Sequence, residues 1–208
     1  CLEALDVDYL NKQLLDLFAG KEVTLPVFDF KTHERKEGKT IMLDSRREIL
    51  VVEGIHGLND ALTPHIKAEN KFKLYVSVLS QIGIDDHNRV SARDNRLLRR
   101  IVRDRQFRGM SAQRTMSMWE SVQRGAEKYI FRFENSADAV FNSALDYEIP
   151  VLKCYAERLL REIKPEDAVY GEAERLLDFL DNFAVLPPQF VPGGSILREF
   201  IGGSDFKY

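Results

Sequence analysis

The sequence has only two cysteines, Cys1 and Cys154, among 208 residues. Two thiols are too few for a disulfide framework, and their spacing matches no metal-ligand pattern, which excludes a disulfide scaffold and a cysteine-based metal site. No apolar run approaches the roughly 20 residues of a membrane span, and no signal-peptide pattern is present. We therefore expect a soluble protein of the reducing cytoplasm that does not enter a membrane.

The sequence also lacks an excess of basic residues, low-complexity tracts and internal repeats. Its net charge is −3, which argues against bulk nucleic-acid binding because domains with that function are usually basic. With 44% hydrophobic residues, a chain of this length can bury a full core. We expect one domain, or one domain with an appendage.

An initiator methionine is absent as well, because the chain starts at Cys1 inside an apolar pattern that is typical of a helix. We expect that a preceding segment has been removed. The alternative is a lipidated amino-terminal cysteine, but the residues that follow resemble folded structure more than a tether.

Arginine is concentrated between residues 89 and 108, where RVSARDNRLLRRIVRDRQFR holds eight of them. At about 100° per residue, a helix places arginines on one side and apolar residues on the other. The arginine side comprises Arg93, Arg96, Arg99, Arg100 and Arg103, and the apolar side comprises Leu97, Leu98, Ile101 and Val102. Guanidinium groups match phosphate geometry, so the arginine side can hold a polyphosphate. The alternative is a solvated face on which Asp94 and Asp104 form ordinary intrahelical ion pairs.

Hydrophobic periodicity predicts a helix and then a hairpin in the first part of the chain. Asp8 can cap a helix over 9–18, which Gly20 ends. Apolar segments at 22–30 and 39–43 flank the polar stretch KTHERKEG, a pattern typical of a β-hairpin.

After the hairpin the pattern changes to alternating strands and helices. The short apolar run EILVVE at 48–53 is typical of a parallel strand covered on both faces, and FKLYVSVL at 72–79 is a second candidate. Alternation of this kind predicts an α/β fold with a parallel sheet. The remaining predicted elements are a crossover helix over 58–69, helices over 111–128, 148–163 and 166–183, a strand over 139–142, and an irregular tail over 187–208.

Glu53 follows the first predicted parallel strand, and ligands of parallel sheets gather at the carboxyl ends of strands. With Gly54 and Gly57 beside it, this carboxylate can hold a magnesium-bound water near phosphates. The alternative is that Glu53 only caps the next turn. His56 is interpreted as a structural hydrogen-bond partner.

The order of these segments resembles the uridine kinase and phosphoribulokinase family of P-loop kinases. The resemblance runs from residue 1 to about 145 and rests on PVFDFKTHERKEG, ILVVEGIHGLND, KLYVSV, DNRLLRRIVRDRQFRG and EKYIFRFENSADAVFNSA. It implies a kinase core over 1–145, with a hairpin over about 22–43 and a lid over about 85–110. The segment 146–208 resembles a helical extension found in a bacterial, uridine kinase-related branch.

The resemblance assigns roles to individual residues. Phe28 and Phe30 would wall the nucleoside base, and His33 would hydrogen-bond its edge. Phe28 stands where tyrosine is common, which departs from the uridine and cytidine pattern. Without the resemblance, the two phenylalanines would be interpreted as hairpin core and His33 as an exposed loop residue.

The resemblance further implies that ATP and Mg²⁺ are the cofactors. Glu53 would help to position the magnesium, and Arg100, Arg103 and Arg108 would be lid arginines over the triphosphate. A further lid arginine, expected after Gly109, is replaced by Met110.

The glycine-rich phosphate loop that opens this family, ending in Gly-Lys-Ser/Thr, does not occur in the sequence, and neither does the upstream catalytic aspartate. Both would precede Cys1, together with a central strand of the sheet. The resemblance thus implies that the segment alone does not transfer phosphate.

These features predict part of an ATP-dependent nucleoside kinase that transfers the γ-phosphoryl group to a sugar hydroxyl. Three alternatives stay open. They are a non-catalytic nucleotide- or RNA-binding module, a sugar-phosphate kinase of the phosphoribulokinase type, and a structural piece that associates with itself or a partner. A homo-oligomer is compatible with each of them.

Overall fold

The computed structural model describes residues 2–29, 34–44, 46–87 and 89–207, with the backbone alone at Asp29. The chain divides into two compact units. The first unit is Cys1–Tyr75 with Ala126–Ala139, and the second unit is Val76–Gly125 with Val140–Tyr208. Along the described ranges, no helix has the length and apolar character to cross a membrane.

The first unit contains helix α1 (Val7–Phe18), which begins earlier than predicted. Asp6, rather than Asp8, is the cap, because its side chain accepts a hydrogen bond from the Tyr9 backbone N–H at 3.1 Å. The buried Asn11 donates from Nδ2 to the carbonyl oxygen of Leu62 at 2.9 Å. This bond fastens the following loop region to α1.

The predicted hairpin is confirmed, with strands β1 (Val23–Asp29) and β2 (Glu34–Ile41) paired antiparallel. The second strand starts sooner than predicted, so that much of the polar stretch at 31–38 belongs to β2 rather than to the turn. A β-hairpin can carry polar residues on a solvated strand, because one face suffices to cover the core.

The two elements predicted after the hairpin are absent from the described part of the chain. Residues 48–53 have no regular structure, and Ile49 and Val51 are 90% and 82% exposed. A strand requires a hydrogen-bonded neighbour, and no described strand pairs with this run. The predicted helix over 58–69 is replaced by the 3₁₀ turns Asp60–Leu62 and Ala68–Asn70, since Pro64 interrupts a helix interior.

Strands β3 (Leu74–Ser77) and β4 (Ala139–Asn142) confirm the two later strand predictions, the first in shortened form. The backbone N–H of Ala139 donates to the Lys73 carbonyl oxygen at 3.2 Å, and that of Ser143 to the Ser77 carbonyl oxygen at 2.8 Å. The register therefore advances in the same direction along both strands, which is parallel pairing. The predicted mixed α/β fold, with a parallel sheet, a hairpin and helices, is confirmed.

The remaining helices are α2 to α7. The predicted single helix over 111–128 is divided at Met118 into α3 and α4, whereas the two long helices of the extension are confirmed with slightly later starts or earlier ends. The bounds are α2 Ala92–Arg108, α3 Ala112–Ser117, α4 Trp119–Tyr129, α5 Glu148–Arg161, α6 Tyr170–Asp181 and α7 Arg198–Ile201.

The second unit has the larger core, in which α2 packs against α3, α5 and α7, and α5 packs against α6. The tail is more regular than predicted, because it forms the 3₁₀ turn Pro188–Phe190 and helix α7. Leu197, Phe200 and Ile201 of this tail are buried in the core. The apolar area that they remove from water holds the tail in place.

Candidate functional site

The arginine-rich segment forms the single helix α2, whose two ends are defined by its own sequence. Ser91 is the cap, and its hydroxyl accepts from the Asp94 backbone N–H at 3.4 Å. At the other end Gly109 has φ of +62°, a left-handed conformation that favours glycine, and its N–H donates to the Asp104 carbonyl oxygen.

Arg100 and Arg108 share one carboxylate, that of Asp104, which lies one turn from each of them. Asp104 is fully buried and lies 3.3 Å from Arg100 Nε and 2.8 Å from Arg108 Nη1. Its second oxygen also accepts from the Thr115 hydroxyl at 3.2 Å. The intrahelical pairing that the sequence left open is therefore present around Asp104. Arg108 is hydrogen-bonded to this carboxylate, whereas Arg100 Nε lies within ion-pair distance of it without a hydrogen bond.

Arg103 is paired with the tail of the chain. Its Nη1 lies 3.2 Å from Glu199 Oε1, and its guanidinium carbon lies 5.7 Å from the centre of the Phe200 ring. The Arg103 Nε is buried without a hydrogen-bond partner among the described residues. Any anion that binds this guanidinium must thus share it with Glu199 or displace that carboxylate.

Arg99 does not lie on the open face on which the helical pattern placed it. Its side chain is 7% exposed, and its Nε donates to Glu148 Oε2 at 2.6 Å. Its two terminal nitrogens donate to the hydroxyl and the carbonyl oxygen of Ser143, at 3.2 and 2.6 Å. Asn95 donates to the other oxygen of Glu148 at 2.8 Å. This buried network attaches α2 to the end of β4 and the start of α5.

Asp94, the other acid proposed for intrahelical pairing, binds a different helix. It accepts two hydrogen bonds from Arg175 of α6, at 2.7 and 3.0 Å. Glu172 binds the same guanidinium at 2.8 Å, and these two carboxylates raise the pKa of Arg175. The helical wheel could not reveal this contact because Arg175 is distant in sequence.

Glu53 lies in the irregular segment that precedes a turn, and its side chain is exposed. The turn is closed by the Gly57 N–H, which donates to the Gly54 carbonyl oxygen at 3.0 Å, and Gly54 has φ of +155°. No group of three metal-ligating side chains occurs within the described ranges. The magnesium role of Glu53 stays a prediction.

His56 is buried beside Glu53's turn, where it meets the Tyr129 ring edge-on at a centroid distance of 5.5 Å. Its Nδ1 has no hydrogen-bond partner among the described residues, contrary to the structural hydrogen bond predicted for it. Burial lowers the pKa of His56, because the charged imidazolium is poorly solvated there.

Acidification is expected to destabilise the protein partly through His56. Below the ordinary pKa of 6.5 the unfolded chain binds a proton that the folded chain refuses, so stability is lost as the pH falls. Urea unfolding followed by circular dichroism, at neutral pH and at about pH 5, measures this loss. His56→Gln should show a smaller pH dependence than the unsubstituted protein, and an equal dependence contradicts the assignment.

Phe28 projects from β1 opposite Arg35 of β2, and it is 50% exposed. It is not part of the small core of the first unit, which centres on Leu17, Val23 and Leu43. The interpretation as hairpin core is therefore wrong for Phe28. Phe30 and His33 lie outside the described residues.

A sequence model of the Phosphoribulokinase / Uridine kinase family matches residues 2–150. The chain belongs to this family. Its relatives include uridine kinases of Streptococcus pyogenes serotype M5, Streptococcus equi subsp. zooepidemicus and Streptococcus uberis. Each is 32% identical over 119 residues, which is 57% of this chain and 48–49% of the relative. The chain thus spans about half the length of the relatives that it matches.

Arg100, Arg103, Arg108 and the hairpin fall inside the range that the family model matches, whereas Glu199 lies beyond it. The hairpin and Glu53 belong to the first unit, and the three arginines belong to the second. Glu199 could not be found from the sequence, because nothing in the tail marks it as a partner of Arg103.

The groups present fit phosphate and magnesium in part. Arg100, Arg103 and Arg108 supply guanidiniums on one helix, and Glu53 supplies an exposed carboxylate of the kind that holds Mg²⁺ through water. The backbone amides of a glycine-rich phosphate loop are not supplied, because the 208 residues contain no Gly-x-x-x-x-Gly-Lys-Ser/Thr motif. The tripeptide Gly38-Lys39-Thr40 has His33 where that motif requires its first glycine, and it lies in strand β2.

Proposed function

We propose that the intact protein is an ATP- and Mg²⁺-dependent nucleoside kinase that transfers the γ-phosphoryl group to a sugar hydroxyl. This chain would supply the acceptor hairpin, the magnesium-positioning carboxylate and the arginine lid. The match of the kinase family to residues 2–150 carries the proposal. The names of the relatives, uridine kinases, favour a nucleoside acceptor.

In this proposal the lid arginines act by electrostatics. ATP with Mg²⁺ supplies the phosphoryl group and part of the charge neutralisation. Arg108 is hydrogen-bonded to the buried Asp104 and Arg100 is ion-paired with it, which would orient both side chains before a triphosphate arrives. Preorganised positive groups stabilise the charge that develops during transfer without rearranging at that moment.

The hairpin would bind the nucleoside in the same proposal. Phe28 presents an exposed ring that can stack on a base, and Phe30 and His33 would complete the wall and the polar contact. Glu53 would hold a water of the magnesium shell. These roles rest on the family resemblance.

An assay of the intact protein tests the proposal. We expect transfer of label from γ-labelled ATP to uridine or cytidine, dependent on Mg²⁺. The 208-residue segment alone should be inactive, because it holds no phosphate loop. Phosphorylation of a pentose phosphate in place of a nucleoside would instead support the phosphoribulokinase type of acceptor.

The second candidate is a non-catalytic nucleotide-binding module, which one observation favours. Arg100, Arg103 and Arg108 are each paired with a carboxylate of the same chain. If the intact protein binds ATP but transfers no label to any acceptor, this candidate replaces the kinase.

Glu199→Gln is expected to tighten binding of ATP to the intact protein about two- to fivefold, the range for an exposed ion pair of up to about 1 kcal/mol. Arg103 would lose its competing carboxylate, while the Phe200 contact remains. Calorimetric titration measures the dissociation constant. Glu157→Gln, which removes an exposed pair with Arg161, is the matched control and should leave it unchanged. Weaker binding by Glu199→Gln contradicts the competition.

A further inference from the structure

A cavity of about 340 Å³ lies between α2 and α5 in the second unit, apart from every residue assigned above to ATP, magnesium or the nucleoside. Its volume is within the range of about 300–1,000 Å³ that is usual for small-molecule sites. The side chains of Val102, Arg105 and Gln106 line it from α2, and those of Tyr155, Arg158 and Leu159 line it from α5.

We propose that this cavity binds a small phosphomonoester that carries a flat apolar group. Arg105 lies on α2 and Arg158 on α5, and they provide two permanent positive charges. None of the described residues that line the cavity is acidic. A phosphate with two negative charges matches a pair of guanidiniums in both charge and hydrogen-bond geometry.

Neither arginine takes part in the ion pairs that connect the described elements. Among the described residues, no side-chain hydrogen bond or ion pair involves Arg105 or Arg158, in contrast to the three lid arginines. The carboxylates adjacent to them in sequence are already engaged, since Asp104 binds Arg100 and Arg108, and Glu157 binds Arg161 at 2.8 Å. Both side chains are exposed, so an anion from solution can reach these charges and replace the water around them.

The other lining residues are the reason why we expect the ligand to carry a flat apolar group. Val102 and Leu159 are 2% and 3% exposed and form an apolar floor. Burial raises the pKa of Tyr155, so its ring carries a neutral hydroxyl that can donate, and Gln106 adds an amide at the rim. Tyr155 is only partly buried, so a flat ring that packs on it would remove apolar surface from water.

Cys154 gives a direct readout because it lines the same cavity and is exposed. Burial of its surroundings raises the pKa of the thiol, so alkylation is best measured at mildly alkaline pH. Saturating phenyl phosphate should slow alkylation of Cys154 by iodoacetamide several-fold, as followed by mass spectrometry of the peptide that contains it. Inorganic phosphate should protect less, and phenol should protect least.

Variants show which residues are needed for the protection of Cys154, and they distinguish this result from the kinase proposal. Arg105→Gln and Arg158→Gln should each abolish most of the protection, whereas Arg161→Gln, one turn away on α5 and outside the cavity, should retain it. Arg103→Gln should also retain it, so failure of the lid assignment would leave this result unchanged.

Three outcomes would overturn the proposal. The first is the absence of any slowing by phenyl phosphate, and the second is equal protection by phenol, which would show that the arginines do not bind the phosphate. The third is full protection in both Arg105→Gln and Arg158→Gln. Equal protection by inorganic phosphate would overturn the part of the proposal that concerns the flat apolar group.

Discussion

Glu148→Gln is expected to lower the free energy of unfolding of this chain by about 3 kcal/mol, because it leaves the Arg99 guanidinium buried without its carboxylate. Both side chains are almost inaccessible, at 1% for Glu148 and 7% for Arg99. Urea unfolding measures the change, with fluorescence of the buried Trp119 reporting on the second unit.

Two further variants test whether the lost stability comes from the unpaired buried charge. The double variant Arg99→Met with Glu148→Leu should recover much of the lost stability, since apolar replacement of a whole buried pair is often neutral or stabilising. Glu157→Gln breaks the exposed pair with Arg161 and should cost less than about 1 kcal/mol. If Glu148→Gln costs no more than this control, the network does not hold α2, β4 and α5 together.

Under the kinase function proposed for the intact protein, Arg103→Gln is expected to reduce kcat about 100-fold, which is the usual effect of removing one preorganised charge-stabilising donor. The Michaelis constant for the nucleoside should change little, because Arg103 would meet the transferring phosphates and not the acceptor. Steady-state kinetics with ATP and uridine measure both constants. The pair with Glu199 is partly exposed, so thermal stability should stay nearly unchanged.

Arg124→Gln provides the matched control for Arg103. It removes an arginine that forms a 70%-exposed ion pair with Glu120, and it should leave kcat unchanged. An Arg103→Gln variant that loses nucleoside affinity as much as turnover contradicts a lid role. A variant that loses neither shows that Arg103 serves only to hold Glu199.

Patterns local in sequence predicted most of the helices. Ser91 and Gly109 mark the ends of α2, and the apolar spacing of α5 and α6 predicted their presence. The predictions fail where the structure of a segment depends on another segment that pairs with it. EILVVE has the composition of a strand, yet no described strand pairs with it. In the segment after it, Pro64 and two short 3₁₀ turns replace a helix.

The candidate site shows the same division. The sequence selected Arg100, Arg103, Arg108 and Glu53 through the family resemblance, and Asp104 through its spacing from the arginines. It placed Arg99 on the open side of α2, because a helical wheel gives the angular position of a residue but not the segments that pack against it. Only the fold brings Glu148 of α5 and Ser143 to that side, which makes Arg99 a buried structural residue.

By itself the sequence determined the family, the mixed α/β class and the position of a helix rich in arginine, because these depend on the order and spacing of nearby residues. The tertiary structure alone decided which arginines form ion pairs with carboxylates of the chain and which do not. Arg99 is enclosed by Glu148, and Arg103 shares its charge with Glu199. Arg105 and Arg158 line a cavity, and within the described part of the chain their side chains form no ion pair. An ion pair needs two groups within a few ångströms, and that distance is set by packing between segments far apart in the chain.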